Sequence, residues 1–95
     1  MVGLVRRADM SREQFEQWWL GQHAALARQI PNVRRIRFNL MAEGPFDGIA
    51  ELWFDTQDAM VAGYASPAGE RAAADSLANA QSRVRMPVIE HAILD

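Results

Sequence analysis

Four short apolar runs are interleaved with two helical patterns in the order strand, helix, strand, strand, helix, strand, and the chain is too short to divide between two cores. Together these observations predict an α+β fold. The order is the split βαβ arrangement of the ferredoxin-like class (β-α-β-β-α-β), a four-stranded antiparallel sheet with helices on one face. With 95 residues, positions 1–95 are expected to form a single domain around one core.

Val2 to Val5 reads as the first strand, and Arg6-Arg7-Ala8-Asp9 carries the chain out to the surface. Ser11 then offers an N-cap with Gln14 at the capping-box position, and Met10 and Phe15 stand where a hydrophobic staple closes over a helix start. A helix therefore begins at Arg12. Phe15, Trp19, Gln22, Leu26 and Ile30 share one stripe at helical period, Trp18 flanks it, and Pro31-Asn32 ends it. Gln22 is out of place in that apolar stripe, and His23 sits at its edge.

Val33 to Met41 alternates, with Ile36, Phe38 and Leu40 on one face and Arg35, Arg37 and Asn39 on the other. Turn residues from Ala42 to Gly48 lead into a second alternating run, Ile49 to Asp55, so a hairpin is expected. Asp55 or Thr56 can cap a helix through Tyr64, and Ser66-Pro67 restarts one that continues to about Ala80. This last helix is Ala-rich and, apart from Leu77, poor in large apolar groups, so it should pack weakly. Pro87 leads the expected final strand, Val88 to Leu94. Helices would cover one sheet face. The other, offering Ile49, Trp53, Ile89 and Ile93, needs a cover that a second copy would supply, hence a homodimer.

Composition narrows the function. There is no cysteine, which excludes disulfides, thiolate metal sites and cysteine nucleophiles and fits a cytoplasmic protein. Ten basic residues against 12 acidic ones, a net of −2, give no footprint for nucleic acid or an anionic membrane. No run approaches the length of a membrane span and no export signal is visible. All ten basic residues are arginine, which excludes Schiff-base chemistry on a lysine. No glycine-rich phosphate loop is present, and His91 beside Glu90 lacks the clustered partners of a metal site, so neither cofactor nor metal is expected.

The segments RRADMSREQFEQWWLGQHAALA, IPNV, DGIAELWFD and YASPAGERAAADSLA resemble, in order and spacing, the EthD branch of the dimeric α/β-barrel superfamily. The resemblance spans nearly the whole chain and rests most specifically on Phe15, Trp19 and His23 in F-x-x-x-W-x-x-x-H and on DGIAELWF. It implies two four-stranded sheets meeting as a barrel in a homodimer, with a pocket in each subunit between sheet and helices. The family takes its name from a gene cluster that degrades an ether fuel additive. Relatives include methylmuconolactone isomerase and polyketide-modifying oxygenases and cyclases.

His23 is the candidate general acid or base, since imidazole titrates near neutral pH and the position matches the family's helix histidine. The plainer reading is a boundary histidine that only satisfies a hydrogen bond. Trp19, Ile36, Phe38, Leu52 and Phe54 would share the helix side of the sheet with His23, and with Tyr64 and Asp75 they form the candidate ligand-binding set. Asp75 matches an acidic position of the family's second helix, where it either orients His23, contacts a ligand, or is a solvated carboxylate. The isomerase relatives carry reactive side chains on the strands where this chain has Ile36 and Leu52. The expected function is a cofactor-independent enzyme, oxidoreductase or isomerase in type, acting on a small hydrophobic or aromatic compound. The alternatives are a non-catalytic binding or accessory protein for a degradation pathway and, less favoured, a ligand-sensing module.

Overall fold

The computed structural model describes Met1 to Asp95. Strand β1 (Val2–Arg6) leads to helix α1 (Arg12–Trp18), which starts on the capping box: Ser11 Oγ accepts from the Gln14 N–H, and the Gln14 side chain accepts from the Ser11 N–H. The helix does not continue as regular α geometry to Ile30. A π-helical turn spans Trp19–His23, α2 (Ala24–Ala27) follows, and Gln29 and Ile30 close with tighter bonds to the carbonyls of Leu26 and Ala27. Asn32 then takes a left-handed conformation, φ 70°, which asparagine tolerates better than most residues, and turns the chain toward the sheet.

The expected hairpin is formed by β2 (Arg35–Leu40) and β3 (Gly48–Trp53). Helix α3 (Gln57–Ala65) is capped by Thr56, and α4 (Pro67–Asn79) by Ser66, with Pro67 at the first helical position, where a missing N–H costs nothing. Strand β4 (Ala80–Arg85) completes a sheet ordered β2-β3-β1-β4 in which every neighbouring pair is antiparallel.

The final strand is therefore not Val88 to Leu94. Ala80 both ends α4 and opens β4, so helix and strand join without a loop. The sequence Ala80-Gln-Ser-Arg-Val-Arg85 lacks the apolar run that marks a buried strand, but an edge strand covered on one side only does not need one. Beyond it, Val88, Ile89, Ile93 and Leu94 lie on an exposed tail outside the sheet, not on its face. The tail is tied back where the Trp53 indole donates to the Glu90 carboxylate at 3.0 Å.

Register decides what each face carries. Leu4 lies opposite Gly48 and Arg83, Val2 opposite Ala50 and Arg85, and Ala50 opposite Phe38, so all of these face the helices. Ile49, Glu51 and Trp53 face the other way, with Gly3 and Val84. On that open face Phe46 lies against Gly3, Arg35 stacks over Trp53 at 5.3 Å, and Asn39 donates to Glu51 at 2.8 Å.

The helix-side core is an aromatic layer. Trp19 is wholly buried, stacks on Phe38 at 4.5 Å between ring centroids, and lies 5.5 Å from Phe15. Its six-membered ring lies so close to β3 that a Cβ on Gly48 would stand 2.6 Å from it. Helix α4 approaches on small residues, burying Gly69, Ala72 and Ser76 while Leu77 faces solvent.

Close packing at Gly48 gives a direct test. Gly48→Ala should destabilise the protein by about 1–3 kcal/mol in a chemical denaturation series, because the buried indole has nowhere to move. Gly21→Ala, where a Cβ meets nothing within 4 Å, should stabilise it by up to about 1 kcal/mol.

Candidate functional site

The site begins with the π-helical turn. In an α-helix residues five apart point in different directions, whereas one wider turn brings them to the same side. Trp18 and His23 are five apart, and their rings lie 5.1 Å from each other. Both reach the same carboxylate on α4. Asp75 Oδ2 accepts from the Trp18 indole at 3.1 Å and from His23 Nδ1 at 2.9 Å, while Oδ1 accepts from Gln22 at 2.7 Å and Asn79 at 3.1 Å. Gln22 sits at the helical stripe because its amide serves this carboxylate.

These contacts fix the imidazole. An ionised carboxylate only accepts, so Nδ1 carries the proton and Nε2 of the neutral ring keeps its lone pair. The Ser76 hydroxyl lies 3.4 Å from that nitrogen, a long contact in which it is the donor. Burial holds His23 below the ordinary imidazole value of 6.5, although the Asp75 contact pulls it upward, and the charge of Arg83 adds to the lowering. Burial prevails here because Asp75 divides its acceptor capacity among four donors, and the 2.9 Å bond needs only a neutral N–H.

His23 lines a cavity of about 30 Å³ between the sheet and the helices. Trp19, Ile30, Phe38 and Leu52 supply apolar wall, and Tyr64, Ser76 and Arg83 supply polar atoms. The indole N–H of Trp19 is buried without an acceptor. The void holds roughly two water molecules, so a larger ligand requires side chains at its rim to move. Arg85 lies over the Tyr64 ring at 4.6 Å, and burial raises the Tyr64 phenol above its ordinary range, against the opposing charges of Arg83 and Arg85.

The EthD domain model matches residues 7–79, which carry every element from the end of β1 to the end of α4. The chain belongs to the EthD family. Its backbone is similar to an ethyl tert-butyl ether D (EthD) family protein from Bacillus halodurans, at TM-score 0.70 and 16% identity, covering 90% of this chain and 95% of that one. It is similar to a dimeric ferredoxin-like protein of unknown function from Thermobifida fusca, at TM-score 0.68 and 21% identity, covering 87% and 80%. A dimeric protein of ferredoxin-like fold from Bacteroides fragilis follows at TM-score 0.59 and 19% identity, covering 87% and 85%. These likenesses establish the fold. No curated protein matches the sequence significantly.

Within this EthD chain the candidate residues divide. Trp19, His23, Phe38, Leu52 and Tyr64 all line the cavity. Asp75 stands behind His23 and does not line it. Ile36 is on the helix side of the sheet but borders a separate surface depression with Leu20 and Ala24. Phe54 packs on Tyr64 at 5.6 Å and outside the lining. Parity places Ile36 and Phe54 on the correct face but cannot say how far along the strand the cavity extends. Ser76 and Arg83 were not among the candidates. Arg83 escapes a reading of the sequence because Val88 to Leu94 outcompetes Ala80 to Arg85 as an apolar strand, and Ser76 because a serine in an Ala-rich helix carries no signal of its own.

The lowered titration of His23 makes stability depend on pH in a defined direction. In the unfolded chain the imidazole takes up a proton near pH 6.5, whereas the folded protein resists it, so protonation favours unfolding. Stability should be level above about pH 7 and should decline as the pH falls through 6.5, by at most about 1.4 kcal/mol per pH unit from this group. Urea unfolding at pH 7.5 and 5.5 reads the effect, and His23→Leu should flatten it.

Proposed function

We propose that this EthD protein is an acid/base enzyme acting on a small hydrophobic or aromatic compound, with His23 Nε2 as the proton acceptor. The observation that carries the reading is the Asp75-held imidazole, whose Nε2 has only the long Ser76 contact and which lines a cavity with a largely aromatic and aliphatic wall. A carboxylate on Nδ1 fixes the tautomer and stabilises the ring as it takes up a proton, and a lowered pKa keeps the base ready at neutral pH. The reaction is of isomerase or oxidoreductase type, and the chemistry assigned to His23 requires no cofactor.

Asp75–His23–Ser76 has the connectivity of a hydrolytic relay, but two features disfavour a serine nucleophile. Ser76 Oγ is 3.4 Å from Nε2, and Ser76 lies inside α4, where backbone N–H groups serve the helix instead of an oxyanion. The alternative of a non-catalytic binding protein draws on the apolar Ile36 and Leu52 at strand positions where isomerase relatives are reactive. Asp75 weighs against it by giving His23 the partner those strands lack.

The functional unit we infer is a homodimer formed over the open sheet face. Ile49, Trp53 and Val84 share that face, and Val88, Ile89, Ile93 and Leu94 of the tail are exposed beside it. Burying such a surface is favourable, and two of the similar solved structures are described as dimeric.

Two measurements test these readings. Native mass spectrometry should find a species of twice 10.7 kDa, and Ile49→Arg should shift it to the monomer; a wild-type monomer at micromolar concentration rejects the dimer. The hydrophobic compounds retained by the native protein should be converted on incubation, and His23→Gln should slow that conversion by about 100-fold or more while leaving the dimer intact. Equal turnover by His23→Gln rejects His23 as the base.

A further inference from the structure

The charged groups of the fold are arranged in an unexpected way around the cavity. Arg7 and Arg34 are exposed, yet each is ion-paired, with Asp9 and Asp55. Arg6 is paired with Asp47. Arg83 is half-buried, lines the cavity, and has neither a carboxylate partner nor a side-chain hydrogen bond. Burying part of a cation without a counter-ion is unfavourable, and a guanidinium remains charged even where burial lowers its pKa, as it does here.

The rest of the lining offers that cation no compensation. None of the 15 residues around the cavity is Asp or Glu, and the Asp75 carboxylate behind His23 is spent on its four donors. Tyr64 stands near Arg83 and its hydroxyl makes no hydrogen bond within the chain, and elsewhere in the lining the buried indole N–H of Trp19 has no acceptor. The cavity is thus rich in donors and poor in acceptors. The stacked rings of Trp19 and Phe38, with Leu52, give the same cavity a flat apolar wall.

We propose that the site takes a hydrophobic compound bearing an anionic oxygen, a carboxylate or an acidic phenol or enol, and that Arg83, with Tyr64, holds that oxygen. The inference rests on the reading of the cavity as the ligand site and adds a charge requirement to it. Arg83 and Tyr64 are partly exposed, so they are also the side chains able to swing aside and enlarge the void. Arg85, stacked on Tyr64, supports the ring from the solvent side and adds a second positive charge. The planar fork of a guanidinium suits two oxygens of one carboxylate, which the other cavity residues cannot match.

The test compares 2-naphthoate with its neutral isostere 2-naphthamide, using calorimetry for affinity and the NMR signals of the His23 ring for location. Both probes should perturb His23, and the wild-type protein should bind naphthoate about tenfold or more tightly than the amide, the range of one charge-assisted contact. Arg83→Gln should abolish that preference with little effect on the amide, and Arg83→Lys should retain part of it. Equal affinity for the two probes, or a preference that survives Arg83→Gln, overturns the charge requirement and leaves the cavity reading standing. No binding of either probe at millimolar concentration overturns both. The comparison of probes on the wild-type protein decides the matter even if an Arg83 variant fails to fold.

Discussion

A carboxylate removed from water must find donors or become protonated, and Asp75, its side chain only 9% exposed, finds four. Three of them, Trp18, Gln22 and His23, come from the other helical segment. That requirement ties α4 to the segment beginning at α1 and makes the π-helical turn useful, since regular α geometry would not bring residues 18 and 23 to one acceptor. Helix α4 has little apolar surface with which to hold its place, and this polar network supplies what its small side chains do not.

The same constraint sets the chemistry of His23. Once Nδ1 is committed to Asp75, the tautomer is fixed and Nε2 is left as the ring nitrogen without a carboxylate partner. The aromatic layer holds the ring from the other side, with Phe38 6.0 Å away and Trp19 stacked on Phe38. Trp19 in turn can lie flat on β3 because Gly48 has no side chain there. The position of the imidazole is therefore determined by a carboxylate on one helix and by a glycine on a strand, both distant from it in sequence.

The two faces of the sheet serve different purposes. The helix side encloses the aromatic cavity and carries Arg83 and Arg85 at its β4 edge. The open side carries Ile49, Trp53 and Val84 among the polar side chains of Arg35, Asn39 and Glu51, the surface over which the homodimer is proposed. The tail beyond β4 is anchored by the Trp53–Glu90 hydrogen bond while its apolar side chains remain exposed.

Much of this was legible in the sequence wherever the signal was local. The capping box at Ser11 and Gln14, the alternation of Ile36 to Leu40, the hairpin turn and Pro67 at a helix start all depend on residues a few positions apart, and the element order follows from such patterns taken in sequence. The sequence also pointed to His23 and to the aromatic residues Trp19 and Phe38. It misplaced the last strand because Val88 to Leu94 is more apolar than Ala80 to Arg85, and hydrophobicity cannot recognise an edge strand held mainly by backbone hydrogen bonds to β1. It could note that Gln22 interrupts an apolar stripe but not why. Which donors surround Asp75, that Arg83 lies opposite Leu4 and lacks a counter-ion, and where along the sheet the cavity ends were decided only by tertiary structure. Each depends on the register of strands and the approach of helices far apart in the chain, and these are set by packing as a whole, not by any local pattern.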